Sequence, residues 1–128
     1  MATKDPITCH VLDTLTGRPA AGVKVDLLLE GDKNANVNMW NATTNPDGRI
    51  TKWETGLADM KSVDEVLRAH EQTGTKSIWK LRFYTGLYYG EDKTFWPMVE
   101  LTFYVKAGEH YHVPLLLGPY SYTTYRGS

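Results

Sequence analysis

The sequence contains a single cysteine, Cys9, among its 128 residues. One cysteine cannot form an internal disulfide, which fits a protein of a reducing compartment. The sequence also lacks a glycine-rich phosphate loop, a G-x-S-x-G nucleophile turn and a C-x-x-C pair. The chemistries that depend on these three motifs are therefore not expected.

The charges nearly balance, with 14 Lys and Arg residues against 15 Asp and Glu residues and a net charge of −1. This balance gives no electrostatic reason to expect binding to nucleic acid or to an anionic membrane. No apolar run approaches the roughly 18 residues that are needed to cross a bilayer. Residues 1–20 include Lys4, Asp5 and Arg18 and lack the apolar core of a secretory signal. We therefore expect a cytoplasmic protein.

Alternating apolar and polar residues indicate strands along most of the chain. The clearest alternation lies in 79–84 and 99–105, where every second side chain is expected to face inward. Strands are also expected at 7–13 and 23–29, with a weaker one at 37–41. About eight short strands separated by turns predict an all-β fold, a two-sheet antiparallel β-sandwich.

A tight turn is predicted just before the middle of the chain. Asn45-Pro46-Asp47-Gly48 has Asn first, Pro second and Gly fourth, which is the residue order of a type I turn. Arg49 follows at the start of a short predicted strand. We therefore expect the position of Arg49 to be better defined than that of an ordinary loop residue.

One or two short helices accompany the strands. Ser62-Val-Asp-Glu65 has the form of a capping box and predicts a helix from Ser62 to about His70. A second helical turn is expected within 85–92. The length of the chain predicts one domain, 1–128.

The stretch 110–117 is apolar on both of its faces near its end. Alternation puts two sets of side chains on opposite faces: His110, His112, Pro114 and Leu116 on one, and Tyr111, Val113, Leu115 and Leu117 on the other. A strand without polar residues on either face is typically covered on both sides. We expect the domain's own core to cover one face and a partner subunit to cover the other.

The C-terminal sequence resembles a known family. His112-Val-Pro-Leu-Leu-Leu117, then Pro119-Tyr-Ser-Tyr-Thr-Thr124 and the terminal Tyr125-Arg-Gly-Ser128, are similar to the 5-hydroxyisourate hydrolases of the transthyretin family. Transthyretin itself, a hormone carrier, lacks the terminal tetrapeptide. Members usually have serine where this chain has Gly118. The resemblance is weakest in 55–76, which we interpret as a helical insertion.

The resemblance implies the fold, the assembly and the location. It implies a transthyretin-like (prealbumin-like) sandwich and a homotetramer, a dimer of dimers with its sites at the subunit interface. It adds a peroxisomal location as an alternative to the cytoplasm. It also implies the site residues by their match to family motifs: His10, Arg49 and His112 as catalytic residues, and Tyr125, Arg126, Gly127 and Ser128 as substrate-binding residues.

The implied reaction is hydrolysis of 5-hydroxyisourate to 2-oxo-4-hydroxy-4-carboxy-5-ureidoimidazoline in urate degradation. Opening the ring requires a base for the attacking water and an acid for the leaving nitrogen, and imidazole has a suitable pKa for both. His10 and His112 would share these roles, in an order that the sequence leaves open. Arg49 would stabilise the oxyanion with its forked donors. The scheme requires no metal and no organic cofactor.

Two alternatives follow from the same residues. A transthyretin-like carrier would bind a small aromatic ligand in the tetramer channel without chemistry, and the fold alone does not exclude it. A zinc hydrolase would use His110 and His112, two positions apart, with His10 as a third ligand. Buried histidines and an arginine favour the enzyme over the carrier, because an apolar ligand gains little from them.

Overall fold

The computed structural model describes residues 4–30, 39–55, 61–71, 74 and 76–128. In chain order, the elements within these residues are β1 (Ile7–Asp13), β2 (Arg18–Pro19), β3 (Lys24–Leu29), β4 (Met39–Thr43), β5 (Arg49–Ile50), β6 (Glu54–Thr55), α1 (Val63–Glu71), β7 (Ser77–Phe83), α2 (Thr85–Tyr89), β8 (Val99–Val105), β9 (Tyr111–Leu117) and β10 (Tyr122–Thr124).

These strands form two five-stranded sheets. The first has the order β10–β9–β1–β2, with β5 also paired to β1, and the second has the order β6–β4–β3–β7–β8. Neighbours are antiparallel except for β1 and β9, which run parallel in the first sheet. The predicted two-sheet β-sandwich is confirmed. Three of the ten strands, β2, β5 and β6, contain only two residues each, which explains the smaller number expected from the sequence.

Apolar residues of both sheets meet in one core. Val11 and Leu115 of the first sheet and Leu27 of the second are fully buried. The rings of Trp40 and Trp79 stack with 5.4 Å between their centroids. Burial of such side chains removes apolar surface from water and is the main favourable contribution to folding.

The alternation rule holds well for β7 and β8. Trp79, Leu81 and Phe83 are fully buried, whereas the residues between them are partly or fully exposed. In β8 the terminal residues Val99 and Val105 are buried, and the residues between them alternate between half-buried and exposed. The weaker strand expected at 37–41 is β4. Its buried residue is Trp40, and Val37 lies outside the described residues.

Helix α1 begins with the predicted capping box. The backbone N–H of Glu65 donates to Ser62 Oγ at 3.2 Å, and the backbone N–H of Ser62 donates to Glu65 Oε1 at 3.4 Å. Val63 and Leu67 are buried and belong to the core. Among the described residues, no helix is long and apolar enough to cross a membrane.

Strand β9 faces the core on one side, as its sequence predicts. Tyr111, Val113, Leu115 and Leu117 face the core. On the opposite face His112 and Leu116 are half-buried and Pro114 is buried. Within the chain, β10 pairs with the edge of β9 and Gly127 forms a bridge with His112, and a partner subunit over this second face stays a prediction.

Candidate active site

Two histidines lie side by side on neighbouring strands. In the parallel pair of β1 and β9, Thr8 is opposite His112 and His10 is opposite Pro114. Both imidazoles are half-buried, and their ring centroids are 6.2 Å apart with 30° between the planes. The structure therefore brings together two of the three residues that the sequence assigns to catalysis.

Arg49 approaches the same place from the other side of β1. Strand β5 pairs antiparallel with β1, and in this register Arg49 is the partner of His10. The preceding turn is rigid: Oδ1 of Asn45 accepts hydrogen bonds of 2.9 Å from the backbone N–H groups of Asp47 and Arg49. Gly48 has a φ of 74°, a conformation that favours glycine. The turn thus defines the position of the exposed Arg49, as expected, and the strand pairing puts it next to His10.

A cleft of about 420 Å³ opens at this edge of the first sheet. The residues that line it come from the N-terminal segment, from β1, β5 and β9 and from the chain end: Lys4, Asp5, Pro6, Thr8, Arg49, His110, Tyr111, His112 and Ser128. His10 adjoins the cleft through its neighbour His112. The cleft therefore carries the cationic side chains of Lys4 and Arg49, the carboxylate of Asp5 and the imidazoles of His110 and His112.

The environment favours neutral imidazoles. Burial lowers the pKa of His112, and the positive charges of Arg49, His10 and Lys4 lower it further. Burial and the charge of Arg49 also lower the pKa of His10, against a hydrogen bond to the Asp47 backbone and the Asp47 charge, which raise it. A pKa below its ordinary value of about 6.5 leaves an imidazole uncharged at neutral pH. Neutral imidazoles can accept a proton from water, which is what a general base requires.

Thr8 is a site residue that the sequence interpretation missed. Its Oγ1 lies 2.8 Å from Nδ1 of His112, and the residue is only 8% exposed. The sequence places a threonine two positions before His10, but nothing in it indicates the partner. The strand register alone creates this contact, since the two residues are 104 positions apart.

The chain end lies directly against the strand that carries His112. The backbone N–H of Gly127 donates to the backbone oxygen of His112 at 2.8 Å. A Cβ at Gly127 would be 2.8 Å from Cδ2 of His112 and 3.1 Å from Cγ of Pro114. Glycine is therefore required by close approach, and not by a positive φ. The terminal Ser128 then lines the cleft.

The other two tail residues lie on a different side. The guanidinium of Arg126 is 4.5 Å from the centroid of the Tyr111 ring, and its Nη2 donates a long hydrogen bond of 3.4 Å to the backbone oxygen of His110. Tyr125 and Arg126 line a second cleft of about 450 Å³ between β8 and β9, which Tyr111 and His112 line as well. Within one chain, Ser128 joins Arg49 and His112 at the first cleft, whereas Tyr125 and Arg126 do not.

Among the residues that the structure describes, no group of three or more His, Cys, Asp or Glu side chains is arranged to hold a metal ion. The three histidines of the zinc alternative therefore do not form a ligand set there. His110 lies at the edge of the first cleft, where its neighbours include Lys4 and Pro6.

The chain is thus a two-sheet β-sandwich whose first sheet carries two neighbouring imidazoles and a guanidinium at one edge. Residues 7–127 match the model of the HIUase/Transthyretin family, and the chain belongs to this family. It is 39% identical to the Schizosaccharomyces pombe protein named "Probable 5-hydroxyisourate hydrolase" over 126 residues, which cover 95% of this chain and 90% of that protein. It is 41% identical over 136 aligned positions to "5-hydroxyisourate hydrolase 2" of Rhizobium meliloti, with both chains covered completely.

A solved structure agrees with these relatives. The structure of Klebsiella pneumoniae 5-hydroxyisourate hydrolase superposes with a TM-score of 0.67 at 27% identity, covering 95% of this chain and 98% of that one. The family predicted from the C-terminal motifs is confirmed.

Proposed function

We propose that this chain hydrolyses 5-hydroxyisourate to 2-oxo-4-hydroxy-4-carboxy-5-ureidoimidazoline. The observation that carries the proposal is that His10, His112 and Arg49 lie on three adjacent strands, with Arg49 and His112 lining the cleft beside them. The activity named for the relatives supports the same substrate. The substrate is a planar, polar small molecule, and a cleft with several donors suits its carbonyl groups.

The proposed reaction uses water as the nucleophile. One imidazole removes a proton from water, and the oxygen attacks a ring carbonyl carbon. The carbonyl oxygen becomes an oxyanion, which the guanidinium of Arg49 stabilises with two parallel donors. The ring C–N bond then breaks, and the leaving nitrogen takes a proton from an imidazole. Neither a metal nor an organic cofactor takes part in this scheme.

The terminal tetrapeptide is proposed to bind and orient the substrate. The position of Ser128 at the cleft supports direct contact for its hydroxyl. Gly127 supports this contact by allowing the tail to lie against His112. The contacts of Arg126 with Tyr111 support a role in holding the tail. For Tyr125, substrate binding stays a prediction.

We also propose a homotetramer, a dimer of dimers with the sites at the subunit interface. Strands β8 and β10 are the ends of their sheets in the described part of the chain, and an open strand edge is a ready place for pairing. Large apolar residues are exposed close to β10: Phe95 and Tyr120 are each 69% exposed. Light scattering at micromolar concentration should give the tetramer mass, and a monomer would contradict the proposal.

A cytoplasmic location is proposed with a peroxisomal one as the alternative. Cell fractionation of the untagged protein, with compartment markers, distinguishes the two locations.

The decisive experiment follows the ultraviolet absorbance of freshly made 5-hydroxyisourate. The protein should accelerate its loss well above the spontaneous rate, and thorough chelation should leave the acceleration unchanged. His10→Gln is a suitable control because the amide keeps hydrogen-bonding capacity but cannot transfer protons at neutral pH. Binding of an aromatic ligand without accelerated decay would favour the carrier, and a rate lost with stoichiometric zinc would favour the metal alternative.

A further inference from the structure

We propose that Thr8 is a positioning residue that holds His112 in the tautomer with its proton on Nε2. His112 then donates a hydrogen bond to the substrate carbonyl oxygen, and His10 carries out both proton transfers. This inference rests on the proposed hydrolysis and gives each of the two histidines a different role in it.

The argument begins with the single proton of the Thr8 hydroxyl. Oγ1 has two neighbours that can accept it: Nδ1 of His112 at 2.8 Å and the backbone oxygen of Tyr111 at 3.5 Å. A separation of 3.5 Å is beyond the usual range of an O–H···O hydrogen bond, whereas 2.8 Å is well within it. Thr8 is 8% exposed, so water offers little alternative. The hydroxyl therefore donates to Nδ1.

This donation fixes the state of the His112 ring. In a neutral imidazole one nitrogen carries a hydrogen and the other accepts. If Nδ1 accepts from Thr8, the hydrogen lies on Nε2. A neutral imidazole with a fixed N–H can polarise a carbonyl oxygen, a role that histidine has in other enzymes. Beside Arg49, His112 would thus contribute a second donor for the oxyanion.

His10 is in the complementary situation. The backbone of Asp47 raises the pKa of His10 and thereby favours the protonated ring, against burial and the charge of Arg49. A backbone group that favours the protonated ring is a carbonyl oxygen, and a ring nitrogen that faces it carries the hydrogen. The other nitrogen of the neutral ring has the free lone pair that a general base needs.

His10 alone is enough to carry out both proton transfers. The free nitrogen of His10 takes a proton from water while the water oxygen bonds to the carbonyl carbon. The oxyanion is held by Nε2–H of His112 and by Arg49. When the C–N bond breaks, the imidazolium of His10 returns its proton to the leaving nitrogen. The new carboxylic acid loses its proton to solvent, and His112 keeps its hydrogen throughout.

The kinetic test compares Thr8→Val with Thr8→Ser. Valine has the same shape but no hydroxyl, so kcat should fall at least about tenfold, the lower end of the effect known for groups that orient metal-bound imidazoles. Serine restores the donor and should restore kcat. Because His10 alone is the base, the acid limb of kcat/KM should stay at the same pH in both variants. A Thr8→Val enzyme with full kcat, or with a displaced acid limb, would overturn the proposal.

The second test reads the tautomer without substrate. Nitrogen-15 NMR of the histidine-labelled protein at neutral pH should show Nδ1 of His112 unprotonated and Nε2 protonated. The four histidines can be assigned with single His→Gln variants. A hydrogen on Nδ1 would refute the role of Thr8 even if the protein hydrolyses 5-hydroxyisourate. Absence of hydrolysis with the expected tautomer would instead refute the proposed function.

Discussion

Gly127 and His112 are joined through their backbones, with the N–H of Gly127 donating to the carbonyl oxygen of His112 at 2.8 Å. The bond lies just before the chain end, so it fixes where Ser128 enters the cleft. Chain termini are usually poorly held and expendable. Here the last residues are attached to the strand that carries His112, so a change in their path also reaches the proposed site.

Gly127→Ala should impair the site without unfolding the protein. A methyl group there would lie 2.8 Å from Cδ2 of His112 and 3.1 Å from Cγ of Pro114, so the tail or the imidazole must move. A displacement near 1 Å can cost roughly a hundredfold in rate. We expect kcat/KM to fall by about that factor, measured by the decay of 5-hydroxyisourate absorbance.

Gly22→Ala is the matched control for this substitution. Gly22 has open space around it, but its φ of 81° makes alanine unfavourable. The control should therefore lower the melting temperature and keep kcat/KM. Gly127→Ala should instead keep the melting temperature and lower kcat/KM. Equal kcat/KM in Gly127→Ala and the wild type would show that the close approach is unimportant for the reaction.

Removal of the last three residues tests the tail as a whole. A chain that ends at Tyr125 keeps β10 and its pairing with β9, so the assembly and the thermal transition should persist. Hydrolysis should be abolished, because Ser128 is lost from the cleft. A C-terminal tag should reduce activity as well, and an N-terminal tag should be harmless by comparison. Full activity in the truncated chain would remove the tail from the mechanism.

Arg49 should influence both the rate and its pH dependence. Burial is the first cause of the lowered histidine pKa values, and the charge of Arg49 is the second. A base with a lowered pKa loses activity only when the pH falls below its ordinary value near 6.5, so the wild-type acid limb of kcat/KM should lie below that pH.

Two substitutions of Arg49 separate its charge from its shape. Arg49→Gln removes the charge, so the acid limb should move to higher pH. Arg49→Lys keeps the charge, so the limb should stay low. Both should reduce kcat by roughly 10²- to 10³-fold, the usual effect of losing an oxyanion donor. Lysine is no exception, because its ammonium group does not reproduce the two parallel donors of the guanidinium. Identical limbs in the two variants would show that the Arg49 charge does not reach the histidines.

The sequence predicted those features that depend on neighbouring residues. The alternation of β7, the capping box at Ser62 and the turn before Arg49 each involve residues within a few positions of one another. Side-chain periodicity and hydrogen bonds of this local kind can be predicted from the sequence, because the residues involved are only a few positions apart. The site residues His10, Arg49 and His112 came from family motifs, and the fold explains why they meet.

Contacts across the sheet were not predictable in the same way. The hydrogen bond between Thr8 and His112 exists only because β1 and β9 are parallel neighbours in one particular register. A shift of one residue would place Thr8 on a different partner. Similarly, the motif that contains Arg126 does not reveal that its guanidinium turns toward Tyr111, because the path of the tail depends on the packing of Gly127.

Tyr111 should support activity by holding Arg126. The guanidinium lies 4.5 Å from the centre of the Tyr111 ring, a cation–π contact worth about 0.5–1 kcal/mol at an exposed site. The hydroxyl of Tyr111 donates to Glu109 at 2.7 Å and accepts from the backbone N–H of Lys106 at 2.9 Å, which fixes the ring. Together these contacts connect the tail to the loop before β9.

The test compares Tyr111→Leu with Tyr111→Phe. Leucine removes the aromatic face, so the tail should be held less firmly and KM should rise about two- to fivefold, the equivalent of the lost contact. Phenylalanine keeps the face and loses only the hydroxyl, so its KM should stay close to that of the wild type. Arg126→Gln should raise KM as Tyr111→Leu does, and the double variant should add little, because both changes break the same contact. Additive effects in the double variant would mean that Arg126 and Tyr111 act independently of each other.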